Sequence, residues 1–248
     1  ERMQSMKENA YDNPVFFEKY SQMSRSRLGL EGAGEWRTLE RMLPDFSGKR
    51  VLDLGCGFGW HCVYAARHGA VRVLGLDRSE NMLRRAREQT RETAVEYRQM
   101  ELEEYEYPEG AFDVVLSSLA LHYVKDFSDV CQKAARTLVR GGDFVFSIEH
   151  PVFTAYGEQE WMYGPAGEIL CWPVDRYFEE GERDAVFLGE RVKKQHHTLT
   201  TLVRGLLESG FQITDLAEPQ PPEEMIDLPG MADELRRPMM LLICAKKL

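Results

Sequence analysis

Residues 51–60 read VLDLGCGFGW, and residues 71–77 read VRVLGLD. The first is an apolar strand pattern that runs into a turn with glycines at 55, 57 and 59. The second ends on a single acid, Asp77. Similar runs follow at 95–100 (VEYRQM), 112–120 (FDVVLSSLA) and 143–150 (DFVFSIEH). Between them, helical spacing covers 60–68, 80–91 (Ser79 as N-cap) and 125–139, the last stopping at Gly141-Gly142. Strands this apolar need cover on both faces. Alternating helices supply it, which predicts an α/β fold with a doubly wound, mostly parallel sheet and right-handed crossovers.

The flanks depart from this rhythm. Apolar positions at helical spacing over 14–43, interrupted by GLEGAG (29–34), predict two N-terminal helices, and PDFSGK (44–49) is a turn. Residues 151–197 mix aromatics with Gly, Pro and acids and read as an insertion. A helix over 198–209 precedes a terminal pair of strands, FQITDLAEP (211–219) and MMLLICAKK (239–247), with a Pro-rich loop between them. The expected organisation is an N-terminal helical cap (1–45), a core (46–150), an inserted lid (151–197) and the rest of the sheet (198–248). With 248 residues, 43% of them hydrophobic, the chain can bury a sizeable core.

Net charge is −10, which makes nucleic acid and anionic membranes poor partners. The five cysteines form no C-x-x-C pair, arguing for free thiols in a reducing compartment and against a zinc site. No apolar run is long enough to cross a membrane and no charged-then-apolar leader is visible, so a cytoplasmic location is expected. Met6 reads as a natural start, with residues 1–5 expected to be a tag remnant.

A strand–Gly–helix turn lets a ligand approach the backbone, and an acid ending the next strand can accept both hydroxyls of a ribose. A dinucleotide fold wants G-x-G-x-x-G facing a pyrophosphate. Here Trp60 stands where the third glycine belongs, and Asp53 puts a carboxylate beside the loop. That carboxylate repels phosphate and suits a cationic, phosphate-free nucleoside such as S-adenosylmethionine.

VLDLGCGFG resembles motif I of the class I S-adenosylmethionine-dependent methyltransferases, and VLGLDRSENMLRRAR resembles their motif II. QMELEEYEYPEGAFDVVLSSLALHYVKD is similar to the stretch bearing their adenine site and fourth strand, and LVRGGDFVFSIEHP to their fifth-strand motif. The resemblance is close over roughly 46–150, with four motifs in order. It implies a Rossmann-like, seven-stranded sheet with an antiparallel last strand, and S-adenosylmethionine as cofactor. It further implies that Gly55, Cys56 and Gly57, beside Asp53, line the methionine part through backbone. Asp77 would bind the ribose, with Arg78 and Met82 beside the adenine. Glu101, where the family usually has Asp, would reach the adenine amino group, and Leu102 would offer its N–H. Ser117 and Leu119 would bound the methionine end, and Tyr11 and Tyr20 would close over the cofactor.

Methyl transfer needs mainly an aligned nucleophile and excluded water, plus a base if the nucleophile arrives protonated. Histidine is the first candidate. His122 and His150 follow the fourth and fifth strands where ligands bind in open sheets, the bland alternative being a strand-end cap. His61 is a candidate for the cofactor carboxylate or a solvated first-turn residue. His68 reads as surface, and His196 or His197 as pocket-facing. No metal-ligand spacing appears. Trp161, Tyr163, Trp172, Arg176 and Tyr177 are candidate substrate contacts of the lid, against the reading that such aromatics form the insertion's own core. The acidic runs at 103–109 and 178–184 read as solvated faces.

The expected function is a methyltransferase acting on a small-molecule O, N or C nucleophile. The alternatives are a non-catalytic S-adenosylmethionine sensor, a methyltransferase of a protein or acyl-carrier protein, and, disfavoured by Trp60, a nicotinamide dehydrogenase.

Overall fold

The computed structural model describes residues 10–248; the expectation for residues 1–5 falls outside them. Seven strands form one sheet: β1 (Arg50–Leu54), β2 (Arg72–Asp77), β3 (Val95–Gln99), β4 (Phe112–Ser118), β5 (Leu138–Glu149), β10 (Phe211–Ala217) and β11 (Met240–Lys247), in the order β10-β11-β5-β4-β1-β2-β3. The last strand, β11, runs antiparallel to both of its neighbours, and the pairs among β1 to β5 are parallel.

Side-chain alternation splits the core into two layers. Leu52, Leu54, Phe144, Phe146 and Ile243 face α6 (Phe127–Thr137) and α8 (Leu199–Glu208), meeting Val130, Cys131, Leu202 and Leu206. Val51, Val73, Val114, Val145 and Leu242 face α3 (Trp36–Met42), α4 (Trp60–Arg67) and α5 (Glu80–Gln89), meeting Trp36, Leu39, Cys62, Ala65 and Leu83. Burial on both faces is why these strands read as continuous apolar runs. Ser79 caps α5 as its position predicts, its hydroxyl accepting from Met82 N at 3.2 Å.

Three expectations are corrected. The fifth strand begins at Leu138, before Gly141-Gly142: Leu138 pairs with Phe112, and the register then slips so that Val114 faces Asp143. The glycines bend a strand instead of ending a helix. Among the described residues the N-terminal region holds three α-helices, α1 (Pro14–Ser21), α2 (Ser24–Leu28) and α3, with a 3-10 turn at Gly29–Gly32. Asn13 starts α1 by accepting from Val15 N and Phe16 N, and near its end the Ser21 hydroxyl bonds back to Phe17 O, a competitor to helix continuation. The Pro-rich stretch before β11 is not all loop, since it carries a one-turn helix, α9 (Met231–Glu234).

The insertion comprises a one-turn helix, α7 (Pro151–Thr154), a small hairpin, β6 (Met162–Tyr163) with β7 (Ile169–Cys171), and a longer hairpin, β8 (Gly181–Phe187) with β9 (Glu190–His196). The β8–β9 hairpin meets the N-terminal helices in a third apolar cluster of Phe16, Ala185 and Val192, flanked by Tyr11, Tyr20 and Phe187. Lys19 Nζ donates to Leu188 O at 3.0 Å across the same contact. No helix among the described residues is long and apolar enough to cross a membrane.

Candidate active site

The turn after β1 is held to the next strand by Gly55 N and Cys56 N, which both donate to Leu76 O at 2.8 and 2.9 Å. Gly55 sits at φ +76°, and a Cβ there would stand 2.3 Å from the Ala120 Cβ. Gly57, at φ +53°, donates its N–H to Asp77 Oδ2 at 2.9 Å, and Ser79 N donates to Oδ1 at 2.9 Å. Asp77 therefore keeps lone pairs on both oxygens, aimed across the glycine turn, with no salt bridge among the described residues. Burial raises its pKa to about 6, against the opposing pull of those two N–H groups. This is an acceptor pair suited to two adjacent hydroxyls.

Asp53 is buried beneath the loop, where the Cys62 thiol donates to its Oδ2 at 3.2 Å. Burial lifts Asp53 to about 7 and the Cys56 thiol to about 11. Cys56 turns its sulfur inward toward Gly75, so only its backbone faces the cleft. The indole of Trp60 lies on Gly29, 3.1 Å from where a Cβ would be, and its Nε1 is buried without a partner among the described residues. Trp60 thus stands where a dinucleotide-binding motif has its third glycine, with its indole packed on the N-terminal region. Met82 is buried beside Gly57, and Leu102 is buried at the end of β3. Arg78 and Glu101 form a half-exposed ion pair, Arg78 Nε standing 3.6 Å from Glu101 Oε1, too far for a hydrogen bond. Ser117 Oγ donates to Leu54 O at 2.7 Å, and Leu119 takes φ +51° with its N–H on Ser147, so both shape the backbone at the strand ends.

Tyr20 packs edge-on against Phe58 of the glycine loop, at 5.7 Å between ring centres, and against Tyr11 at 5.4 Å. The Tyr11 hydroxyl lies 3.0 Å from that of Tyr123, at the end of β4. The N-terminal segment thus closes over both the glycine loop and the β4 terminus. Arg25 grips both oxygens of buried Glu35 at 2.6 and 2.7 Å. Beside them His61 lies edge-on to Trp36 at 5.7 Å, and burial lowers its pKa to about 4. His61 is thus partly buried against Trp36, where the sequence offered a cofactor contact or a solvated first-turn residue. A groove of about 450 Å3 between α1, α2 and α5, lined by Arg27, Arg84 and Arg85, shares only Phe58 with this cradle.

His122 is 3% exposed. Its Nε2 stands 3.9 Å from Glu149 Oε1, and its Nδ1 is buried with no hydrogen-bond partner among the described residues. Burial lowers its pKa to about 4, so the ring is neutral at pH 7. Lys194 Nζ donates to Glu149 Oε1 at 2.5 Å and to Gln159 Oε1 at 2.9 Å, and Gln159 Nε2 donates to Glu149 Oε2 at 2.6 Å. Burial pushes the Glu149 pKa up, but the charges of His122 and Lys194 and both hydrogen bonds outweigh it, leaving it below the usual range. Glu149 and Lys194 escaped the sequence reading. The one signal was Glu149's place at the end of the fifth strand.

Several expected substrate contacts serve the insertion itself. Trp172 stacks on Phe153 at 4.9 Å, donates to Val152 O and meets Trp161 edge-on. Arg237 lies over all three rings. Trp161 and Trp172 are thus packed against Phe153 and Arg237. Tyr177 OH accepts from Leu199 N, Arg176 pairs with Glu179 at the surface, and Tyr163 is half exposed. His196 has both nitrogens engaged, with Thr154 Oγ1 at 2.7 Å and Tyr177 O at 2.9 Å. His197 Nε2 donates to Val124 O, a core contact. His150 accepts from Val152 N at 3.0 Å and pairs with Glu218 at 2.8 Å, so it caps α7 and has no nitrogen left for chemistry. Of the two histidines singled out for catalysis, His150 has both ring nitrogens engaged, while His122 is buried with one nitrogen near Glu149. Among the described residues no cluster of three or more His, Cys, Asp or Glu is placed to hold a metal ion.

A methyltransferase-domain family model matches residues 52–146. A Listeria monocytogenes structure assigned to the S-adenosylmethionine-dependent methyltransferases is 55% identical, covers 89% of this chain and 99% of its own, and superposes with a TM-score of 0.85. An S-adenosylmethionine-dependent methyltransferase from Mesorhizobium loti is 44% identical, with 88% and 100% covered and a TM-score of 0.81. The ubiquinone biosynthesis O-methyltransferase of Acinetobacter baylyi is 40% identical over 104 residues, 40% of this chain and 43% of its own length.

Proposed function

Because this chain belongs to the class I S-adenosylmethionine-dependent methyltransferases, we propose that it methylates a small molecule held between the ends of β4 and β5, the N-terminal helices and the β8–β9 hairpin. The observation that carries this reading is the roof. Phe16, fully buried, joins the N-terminal helices to Ala185, Val192 and Phe187 of the hairpin, and Tyr11 reaches down to Tyr123. A protein or nucleic acid needs an open rim, and a net charge of −10 adds to its exclusion. The likeness to a ubiquinone-biosynthesis O-methyltransferase over the core supports the same class of acceptor.

The bound cofactor supplies an electrophilic methyl carbon on a sulfonium centre. The protein's share is to hold and align. Asp77 accepts the ribose hydroxyls, and Gly57, where an added Cβ would meet only Met82 Cε at 3.7 Å, leaves room for the ligand to reach the backbone. Asp53 places negative charge under the cationic end. Met82 and Leu102 give apolar walls for the adenine, with the Arg78–Glu101 ion pair at its rim. The closed roof excludes water, which strengthens each of these interactions.

The test is incubation of the purified protein with methyl-labelled S-adenosylmethionine and a whole-cell extract separated into small molecules and macromolecules. Label entering the small-molecule fraction supports the proposal. Label confined to protein or nucleic acid overturns it.

A further inference from the structure

We propose that the groove between α1, α2 and α5 binds a small organic oxyanion, an apolar body carrying a phosphate or carboxylate. Its occupant ties the N-terminal cap to the core and so retains the cofactor. This site is independent of what the methyl acceptor is. The groove encloses about 450 Å3, the size of a small-molecule site. Its inner wall is a stripe of α5. Asn81, Arg84, Arg85 and Glu88 recur at i, i+3, i+4 and i+7 and share one face, while Met82, Leu83 and Ala86 bury the other. Its outer wall is the cap, with Phe17 and Glu18 from α1 and Arg27 from α2. Phe17 meets Phe58 edge-on at 5.9 Å, which gives the groove an aromatic side.

Cations therefore face one another from both walls. Three guanidinium groups line the groove against two carboxylates, an excess of positive charge in a chain whose net charge is −10. Glu88 lies 3.6 Å from Arg85 on its own helix, and Glu18 accepts from the Gln22 amide at 3.0 Å. Arg27 and Arg84 pair with no carboxylate among the described residues, and among them no hydrogen bond or ion pair joins α1 or α2 to α5. Asp12 fastens the segment before α1 to the start of α5, accepting from the Ser79 hydroxyl at 2.6 Å. Further along, like charges meet across the gap. One oxyanion accepting from a guanidinium on each wall turns that repulsion into attraction. A bare inorganic ion would leave most of the groove and both rings uncovered, so the ligand carries an apolar body. The consequence reaches the cofactor. α5 follows directly on Asp77, and α1 carries Tyr20, which packs on Phe58 of the glycine loop at 5.7 Å. An anion bridging Arg27 and Arg84 resists opening of the cap, and by linkage anion and cofactor each tighten the other.

Calorimetric titration of the protein saturated with S-adenosylhomocysteine tests the site, with phenyl phosphate and benzoate as probes and benzyl alcohol as the neutral control. Both anions are expected to bind and the alcohol is not. The ratio of the two affinities tells a phosphate ligand from a carboxylate. Arg27→Gln combined with Arg84→Gln should abolish anion binding and leave S-adenosylhomocysteine affinity without anion unchanged, which shows that the variant is folded. Glu18→Gln, by removing a carboxylate from the wall, should tighten anion binding severalfold. Saturating anion should tighten S-adenosylhomocysteine about fivefold or more in the wild type and not in the double variant. No anion binding by the wild type, or binding unchanged in the double variant, overturns the site. So does a double variant that loses cofactor affinity without anion, since its arginines would then serve cap packing alone. An anion that weakens S-adenosylhomocysteine lies in the cofactor cleft and overturns the site as well. Binding at these arginines with no change in cofactor affinity supports the site and overturns the retention of the cofactor. A single-stranded oligonucleotide held by the same arginines more tightly than either small anion overturns the small-ligand assignment.

Discussion

We propose that cofactor recognition turns on Asp77. Its two oxygens are oriented by Gly57 N and Ser79 N and are otherwise free to accept. Replacing it with alanine should weaken S-adenosylhomocysteine binding by roughly 1–3 kcal/mol in calorimetric titration, the cost of leaving two hydroxyls unpaired. The wild type should also show a pH dependence. Burial raises Asp77 to about 6, and the ionised form is the better acceptor, so affinity should fall as pH drops through about 6 and level off above 7. Gly55→Ala should abolish tight binding, because φ +76° is strained for alanine and the new methyl lands 2.3 Å from Ala120. These positions were legible in the sequence because they act through the backbone of one strand–turn–helix unit. Glu149 and Lys194 were not, since 45 residues separate them and only the folded insertion makes them a pair. His150 shows the converse: it occupies a promising strand end, yet the turn of α7 directly after it captures its ring.

At the scale of elements, the roof depends on a small apolar contact between α1 and the β8–β9 hairpin. Phe16→Ala should cost about 3–5 kcal/mol there, the usual penalty for emptying a buried aromatic site. Because Phe16 touches neither layer of the sheet core, the loss should be local. Limited proteolysis should cut within residues 10–28 and at the 188–189 turn of the variant while the sheet stays intact. Cutting that begins in the sheet would mean the cap and the core unfold together. The alternation of apolar runs made β1 to β4 readable to within a residue or two. The start of β5 was hidden by Gly141-Gly142, since the same pair serves a helix stop or a strand bulge. The insertion's aromatics gave no such period. Trp161 and Trp172 turned out to be held by Phe153 and by Arg237, a residue far along the chain.

For the whole molecule, buried titratable groups beneath the cofactor cleft tie stability to pH. Asp53 is raised by burial to about 7, above its ordinary 3.8. The folded state therefore holds that proton more tightly than the unfolded chain, and the stability it contributes is lost as pH rises from about 4 through 7. His61 and His122, lowered to about 4, act oppositely and cost stability as pH falls below about 6.5. Comparing urea unfolding of wild type and Asp53→Asn isolates the first effect: the variant should gain on the wild type between pH 5 and 8, and parallel curves would contradict it. The account as a whole rests on one enclosed site built from the glycine turn, the N-terminal helices and the hairpin. Hydrogen–deuterium exchange with and without saturating S-adenosylhomocysteine tests it most directly. The predicted result is joint protection of the glycine loop, residues 10–28 and β8–β9. Protection confined to the glycine loop and the Asp77 turn, with helices and hairpin exchanging as before, would contradict an enclosed site.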